Sequence, residues 1–249
     1  MSTFFCLLKK ELRSCFLSPV AFIIIFFFWV LLGLNFWWML VQLADGELLQ
    51  EATQQIFGGL ISFSLLVIIP LLTMRLFAEE RKLGTLESLL TTPLTPGSLV
   101  LAKFAGSLLF YLLLWIPVVV YLAILHHLAP DGVVGFPDFG AMRAGFLGVV
   151  LVGALYLSVG LLMSSITSNQ IVAAISGFSI LSIMFFSTLF MAYTAPSPML
   201  QTLGRYFSPF AHLLDFSRGV VDSRILMLYL SYTAWFLFAT VKVIESKRT

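Results

Sequence analysis

The side chains in this sequence that could do chemistry are concentrated in one polar stretch, residues 75–98, which we term the polar island. It has the sequence RLFAEERKLGTLESLLTTPLTPGS and lies between long apolar runs. Its charged members are Arg75, Glu79, Glu80, Arg81, Lys82 and Glu87. A charged stretch inside an otherwise hydrophobic chain has to meet something outside the membrane, and the pattern of its apolar residues indicates what that is.

A stripe of leucines at helical spacing runs through the polar island. The stripe comprises Leu83, Leu86, Leu89 and Leu90. Pro93 and Pro96 follow and end the predicted helix. A short helix with an apolar stripe and flanking charges suits insertion into a groove on a soluble partner. The alternative is a solvated loop that only connects two spans, although such a loop would need neither the leucines nor the charges.

Nucleophiles and metal ligands in a catalytic arrangement are missing from the sequence. It contains neither the phosphate loop G-x-x-x-x-G-K-[ST] nor the zinc signature H-E-x-x-H. His126 and His127 would point about 100° apart on a helix, which favours an interfacial helix end over a metal site. His212 has no nucleophile at a fixed spacing, and Cys6 and Cys15 fit no metal spacing. We therefore predict no catalytic residue, cofactor site or metal site on this chain.

The elements that must position the polar island are hydrophobic helices. The 249-residue chain is 60% hydrophobic and 10% charged, with a mean hydropathy of +1.03, whereas soluble domains are about 25% charged. A helix needs roughly 20 apolar residues to cross a bilayer. Spans are predicted at residues 20–41, 56–76, 99–126, 141–165, 171–193 and 224–244. Because these runs are continuously apolar, the predicted fold class is an all-α polytopic membrane protein and not a β-barrel.

Two further segments flank or interrupt these spans. Residues 2–17 are predicted to form an amphipathic helix in the interface plane, because Phe4, Leu8 and Leu12 repeat at helical spacing opposite basic residues. Residues 194–221 are broken by prolines and glycines, so they are predicted to form short re-entrant helices packed on protein.

The basic residues are distributed unequally between the two sides of the predicted spans. Ten of the 14 Lys and Arg residues fall in the N-terminal helix, in the polar island and its exit, or in the C-terminal tail. The other four are Arg143, Arg205, Arg218 and Arg224. The positive-inside rule therefore predicts that both termini and the polar island are cytoplasmic and that residues 194–221 are extracytoplasmic.

The interiors of the first, second, fourth and fifth spans contain no ionisable side chain. Ion-coupled transporters place such groups at mid-membrane, so the sequence disfavours a secondary transporter and a selective ion pore. A lipidic or amphipathic cargo and a purely mechanical role are both compatible with it. Small residues such as Gly153 and Gly160 allow close helix approach, either within one protomer or between two. The net charge of +2 gives no indication of a nucleic-acid partner.

The order of these segments resembles a known family. An N-terminal helix with K-K-E-L-R, six spans, and E-E-R-K-x-G-T-L-E-x-L-L-T-x-P between the second and third spans are similar to the ABC-2-type permeases. These proteins are the membrane subunits of ATP-binding-cassette (ABC) transporters. The segment FSPFAHLLDFSRGVVDSR, followed by a sixth span and a basic tail, resembles the gliding-motility-type branch of that family. The resemblance covers essentially the whole chain.

The resemblance implies that residues 77–98 form a coupling region, which docks into a cleft of a separate ATPase subunit. The contact residues that it implies are Glu79, Glu80, Arg81, Gly84, Thr85 and Glu87, together with Lys9, Glu11 and Arg13 of the N-terminal helix. It also implies two copies of that cytoplasmic ATPase, which hold ATP and Mg²⁺, and a second, identical permease in the bacterial inner membrane. The first and fifth spans would form the dimer contact. The outer loops are short, so a role that needs a large periplasmic domain would require an accessory subunit.

Three functions are open at this point. The first is the permease of an ATP-driven exporter, in which the coupling region transmits the motion of the ATPases to the second and third spans. The second is the membrane component of an assembly or mechanotransmission complex, which acts on a periplasmic partner without cargo flux. The third is an intramembrane hydrolase that uses His212.

Overall fold

The computed structural model describes residues 2–44, 54, 56–85, 95–128 and 139–246, which are helical and contain no strand. Six segments among them are long and apolar enough to cross a membrane. These are Pro19–Gln42, Ile61–Lys82, Pro96–Ile124, Gly140–Ile166, Gln170–Thr194 and Ser223–Glu245. The predicted all-α, six-span membrane fold is therefore confirmed.

The helices are numbered here in chain order. They are α1 (Ser2–Leu17), α2 (Pro19–Ala44), α3 (Gly59–Thr73), α4 (Ala78–Lys82), α5 (Pro96–Leu114), α6 (Ile116–Leu128), α7 (Phe139–Ile166), α8 (Gln170–Thr194), α9 (Pro198–Phe207), α10 (Pro209–Ser217) and α11 (Ser223–Glu245).

Helix α7 is the centre of the bundle. It contacts α3, α5, α8, α10 and α11, and 72% of its most apolar stretch is buried, compared with 28% for α2 and 17% for α11. Its glycines admit large neighbours: a Cβ added at Gly153 would lie 2.2 Å from the Tyr111 ring, and one at Gly160 would lie 2.2 Å from Thr73 Oγ1. These small residues therefore serve packing within the protomer.

The third predicted span is divided into two helices. Helix α5 ends at Leu114 and α6 begins at Ile116, and the Trp115 amide donates to the Leu112 carbonyl at 3.1 Å. Pro117 explains the break, because it has no amide hydrogen and its ring crowds the carbonyl four residues earlier.

Helix α1 packs along α5. Its deepest side chains are those of Leu7, which is 8% exposed, and Glu11, which is 5% exposed, whereas Leu8 and Leu12 are only half-buried. The buried face is thus rotated from the predicted apolar stripe toward an acidic residue. The reason is an ion pair between Glu11 and Lys103 of α5.

Helices α9 and α10 occupy the segment predicted to contain short helices. Each begins at a Ser–Pro pair, in which the serine side chain caps the first turn (Ser197 and Ser208). Helix α9 folds back against α8, where a Cβ added at Gly204 would lie 2.4 Å from the Ala192 amide nitrogen. Helix α10 packs on α7. Helix α10 is thus covered by protein, whereas α9 buries only the face with Gly204 and leaves side chains such as Met199, at 74%, exposed. The side of the membrane on which the two helices lie stays a prediction.

Candidate functional site

Helix α4, which carries most of the charges of the polar island, has no N-cap side chain of its own. Ser164 near the end of α7 replaces that cap. Ser164 Oγ accepts hydrogen bonds from the amides of Phe77 at 3.0 Å and Ala78 at 3.1 Å, and donates to the Met74 carbonyl at 3.2 Å. Because the first amides of a helix have no partner within it, α4 begins where α7 can supply one.

Arg81 of α4 makes a second contact between the two helices, at the C-terminal end of α7. Arg81 Nη1 donates to the carbonyls of Ser165 at 3.1 Å and Ile166 at 2.6 Å. The last carbonyls of a helix lack partners within it, and a cation there also interacts favourably with the negative end of the helix dipole. Each helix therefore satisfies the other's terminus, an arrangement that we term the reciprocal cap.

Lys103 of α5 is the most deeply buried cation in this region, with a side chain that is 2% exposed. Its Nζ lies 3.0 Å from Glu11 Oε1 and 3.0 Å from Glu80 Oε1, and 5.2 Å from the centroid of the Phe77 ring. A buried ion costs several kcal/mol unless it is paired and hydrogen-bonded. The two carboxylates meet that need, so Lys103 ties α1, α4 and α5 together.

Arg75, just after α3, forms a second ion pair beside the first. Its Nε lies 2.7 Å from Glu79 Oε2 and its Nη2 lies 2.8 Å from Glu79 Oε1, so the pair is bidentate. Its Nη1 donates to Ser18 Oγ, between α1 and α2. Lys10 adds an exposed and weaker contact, 3.6 Å from Glu80 Oε1.

Gly84, two residues after the end of α4, has a φ of +69°, which lies in the left-handed region. Glycine adopts this conformation without steric cost, whereas a side chain with a Cβ is strained there. Next to it, Thr85 Oγ1 donates to the Glu80 carbonyl at 3.2 Å.

The nine residues that the resemblance implies as ATPase contacts fall into three groups. Four are exposed: Lys9, Arg13, Gly84 and Thr85. Four are partly or fully buried and bond within the chain: Glu11, Glu79, Glu80 and Arg81. The ninth, Glu87, lies outside the described residues. In this conformation the second group holds helices together, and the surface open to a partner consists of the first group with Lys82 and Leu83.

Five side chains of this site were not among the predicted site residues: Lys10, Ser18, Arg75, Lys103 and Ser164. Arg75 and Lys103 contributed to the sequence argument only as charges that set sidedness. A signal for Lys103 was available, because a single ionisable residue inside an apolar span is expensive and needs a partner. No signal pointed to Ser164, which is one of several serines in an uncharged turn and lies far along the chain from α4.

His212, the residue behind the hydrolase hypothesis, lies in α10 and is 3% exposed. Its Nδ1 lies 2.9 Å from the hydroxyl of Tyr229 in α11, so its side-chain partner is a phenol and not a serine nucleophile. Burial lowers the pKa of His212 below its usual range, and the charges of Asp215 and Asp222 oppose that shift only in part. This environment fits the predicted hydrogen-bonding role.

A pH prediction follows from the His212 environment. Because its pKa is lowered in the folded state, the unfolded chain binds the proton first, and acid therefore favours unfolding. The stabilisation is complete above the ordinary histidine pKa of about 6.5 and is lost as the pH falls below it. We expect the melting temperature to fall between pH 8 and pH 5, and to fall less in His212→Gln.

Tyr229→Phe provides the control for this measurement. It leaves His212 buried, so the pH dependence should persist although the hydrogen bond is gone. Equal pH dependence in the wild type and His212→Gln would contradict the assignment.

Metal-binding geometry is not found in the part of the chain that the structure describes: no three His, Cys, Asp or Glu side chains are grouped to hold an ion.

A comparison with protein families connects this arrangement to known proteins. Residues 39–241 match the family model described as ABC-2 family transporter protein, which is about four fifths of the chain. The matched range includes α4, the reciprocal cap and Lys103, while α1 with Glu11 precedes it. A search of curated proteins gave no match. With six apolar helices and this match, the chain belongs to the ABC-2 family of transporter proteins and is a multi-pass membrane component of an ABC transporter.

Proposed function

We propose that the chain is the permease subunit of an ATP-driven exporter of the gliding-motility-type branch. Two copies of a separate cytoplasmic ATPase, which hold ATP and Mg²⁺, dock beside α4. A second, identical permease completes the transporter in the bacterial inner membrane, with all termini cytoplasmic. This chain binds no cofactor and makes or breaks no bond; its role is mechanical.

The anchoring of α4 is the observation that carries the proposal. This five-residue helix is held to α7 by the reciprocal cap and to α1 and α5 through Lys103. A helix fixed at both ends and on its side moves with its neighbours. Force applied to α4 by a docked partner would therefore reach several spans at once.

The docking surface consists of the outward residues at the end of α4. Leu83 is 68% exposed, next to exposed Lys82, Gly84 and Thr85. An exposed large apolar side chain with polar neighbours is the pattern of a residue that fills a groove on a partner. Lys9 and Arg13 of α1 are exposed as well and extend this surface.

Leu83→Asp tests the docking. We expect it to reduce the ATPase stimulation that the permease confers on its partner by about tenfold or more, because it replaces an interface anchor with a charge. The melting temperature of the isolated permease should not change, since the side chain is exposed. Leu83→Met is the matched control and should retain stimulation. Full stimulation in Leu83→Asp would overturn the proposed docking surface.

A second function, force transmission to a periplasmic partner without cargo flux, is favoured by the filled centre of the bundle. Tyr111, Tyr156 and Tyr229 are fully buried beside or within α7, so large side chains fill the space next to that helix. Cargo flux in vesicles containing the permease and its ATPase would support export. ATPase activity that responds to a periplasmic protein, with no flux, would support the second function.

A further inference from the structure

A cavity of about 250 Å³ lies beneath α1, between the start of α2 and the end of α3. Its lining has two parts. One is charged and contains Lys10, Glu11, Arg75, Glu79, Glu80 and Lys103. The other is apolar and includes Ala21 and Ile24 of α2 and Leu71 of α3. Because the cavity has a charged end and an apolar end and lies where two candidate spans begin and end, we expect it at the depth of lipid headgroups.

The charges of the cavity are balanced, with three cations and three carboxylates in the lining. Such a lining does not select a ligand with a net charge; it suits a zwitterion, which presents both signs. Ser14 of α1 adds a hydroxyl to the lining. Lys10, whose side chain is 54% exposed, contributes an ammonium group that a phosphate can reach.

One carboxylate oxygen among the lining residues accepts no hydrogen bond from the described residues. Glu80 Oε1 receives Lys103 and Lys10, while Glu80 Oε2 is buried and has no hydrogen-bond partner among the described residues. A buried acceptor without a donor costs free energy. Because Oε2 is closed to the cavity in this conformation, the Glu80 carboxylate has to turn toward the cavity to meet a ligand. A primary ammonium group, which carries three N–H donors, then removes that cost.

The apolar end of the cavity continues as an exposed track along α3. Phe63, Val67 and Leu71 are each at least partly exposed, at 39%, 48% and 37%, and follow one another at intervals of four residues. Side chains at that spacing lie on the same side of a helix. The track leads from the cavity wall along the apolar part of the span, in the direction that an acyl chain takes from its headgroup.

We propose that this cavity binds the headgroup of a zwitterionic phospholipid with a primary amine, such as phosphatidylethanolamine. The ammonium group donates to the Glu80 carboxylate, which turns toward the cavity to receive it. The phosphate lies toward Lys10 and Ser14, and one acyl chain follows the track of Phe63, Val67 and Leu71. The site does not depend on the identity of any ATPase, and it goes beyond the proposed transport function.

Lipid binding to the purified full-length chain tests the proposal. The probes are phosphatidylethanolamine, phosphatidylcholine and phosphatidylglycerol with identical acyl chains, together with soluble glycerophosphoethanolamine. The amine lipid should bind about tenfold more tightly than the other two lipids, because phosphatidylcholine has no N–H donors and phosphatidylglycerol has no cation. Equal affinity for the three lipids would overturn the proposal. Equal binding of glycerophosphoethanolamine and the intact lipid would overturn the acyl-chain contact.

Two variants place the binding in this cavity. Lys10→Gln and Glu80→Gln should each reduce the preference for the amine lipid to about twofold or less. The matched control is Lys9→Gln, since Lys9 is an exposed neighbour on the same helix that lines a different surface depression. If Glu80→Gln does not fold, the result for Lys10→Gln decides whether the lipid binds in this cavity, because the Lys10 side chain is mostly exposed and its replacement should not affect folding. The same preference in Lys10→Gln and Lys9→Gln would overturn the assignment.

Discussion

Replacing Lys103 by Met should destabilise the folded chain by about 3–5 kcal/mol, the range found when one partner of a buried ion pair is removed. The side chains are similar in length, so the change removes a charge and leaves little empty space. Glu11, which is 5% exposed, would lose the cation 3.0 Å from its carboxylate. Thermal unfolding of the purified protein measures the effect, and the stimulation of a partner ATPase should fall with it.

Two further variants separate this effect from the loss of any lysine. Lys242→Met removes an exposed pair with Glu245, an i,i+3 contact with both side chains about half exposed, and should cost under about 1 kcal/mol. Adding Glu11→Gln to Lys103→Met removes the uncompensated carboxylate and should recover part of the loss. The stability contribution assigned to Lys103 is wrong if Lys103→Met unfolds at the same temperature as Lys242→Met.

The double variant Arg81→Glu with Gly84→Pro should abolish the ATPase stimulation while the chain still inserts into membranes. Gly84 has a φ of +69°, which proline cannot adopt because its ring fixes φ near −65°. Glutamate at position 81 would place a negative charge against the carbonyls of Ser165 and Ile166, which Arg81 now satisfies. ATPase assays of the reconstituted complex, with membrane extraction as the test of insertion, check both expectations.

Graded single variants show which part of the double change matters. Gly84→Asn should retain most of the stimulation, because asparagine tolerates the left-handed region better than other residues with a Cβ. Arg81→Lys keeps the charge but loses the planar fork, so it should give an intermediate result. Undiminished ATPase stimulation by the double variant would contradict the proposed role of α4 in coupling.

The fold could be predicted from the sequence because a bilayer constrains a chain strongly. Each span must be long, apolar and helical, and six such apolar runs are visible in the sequence. Residues that break helices were informative for the same reason. The prolines within residues 194–221 predicted the short helices that form α9 and α10. The third span, in contrast, was predicted as one continuous segment although it divides next to Pro117.

The site could be predicted only in part, because its contacts join residues that are far apart in the chain. Arg75 and Glu79 are four residues apart, and this pair could have been inferred from helical spacing. The contacts of Lys103 with Glu11 and of Ser164 with α4 depend on how α1, α5 and α7 pack. Charges that a sequence assigns to the surface can instead neutralise one another within the fold. Three of the nine implied contact residues do so at least in part, namely Glu11, Glu79 and Glu80.

The reciprocal cap has a mechanical consequence for α7. An α-helix rises about 1.5 Å per residue, so the 28 residues of α7 form a rod of about 42 Å. Helix α4 is hydrogen-bonded to the C-terminal end of α7. Helix α10 packs on α7 nearer its N-terminal end, where Phe216 fills the space beside Gly148. A tilt imposed through α4 would therefore displace the far end of α7 and the helix that it carries. In the proposed mechanism the fourth span would therefore act as a lever between the two faces of the membrane, in addition to the second and third spans.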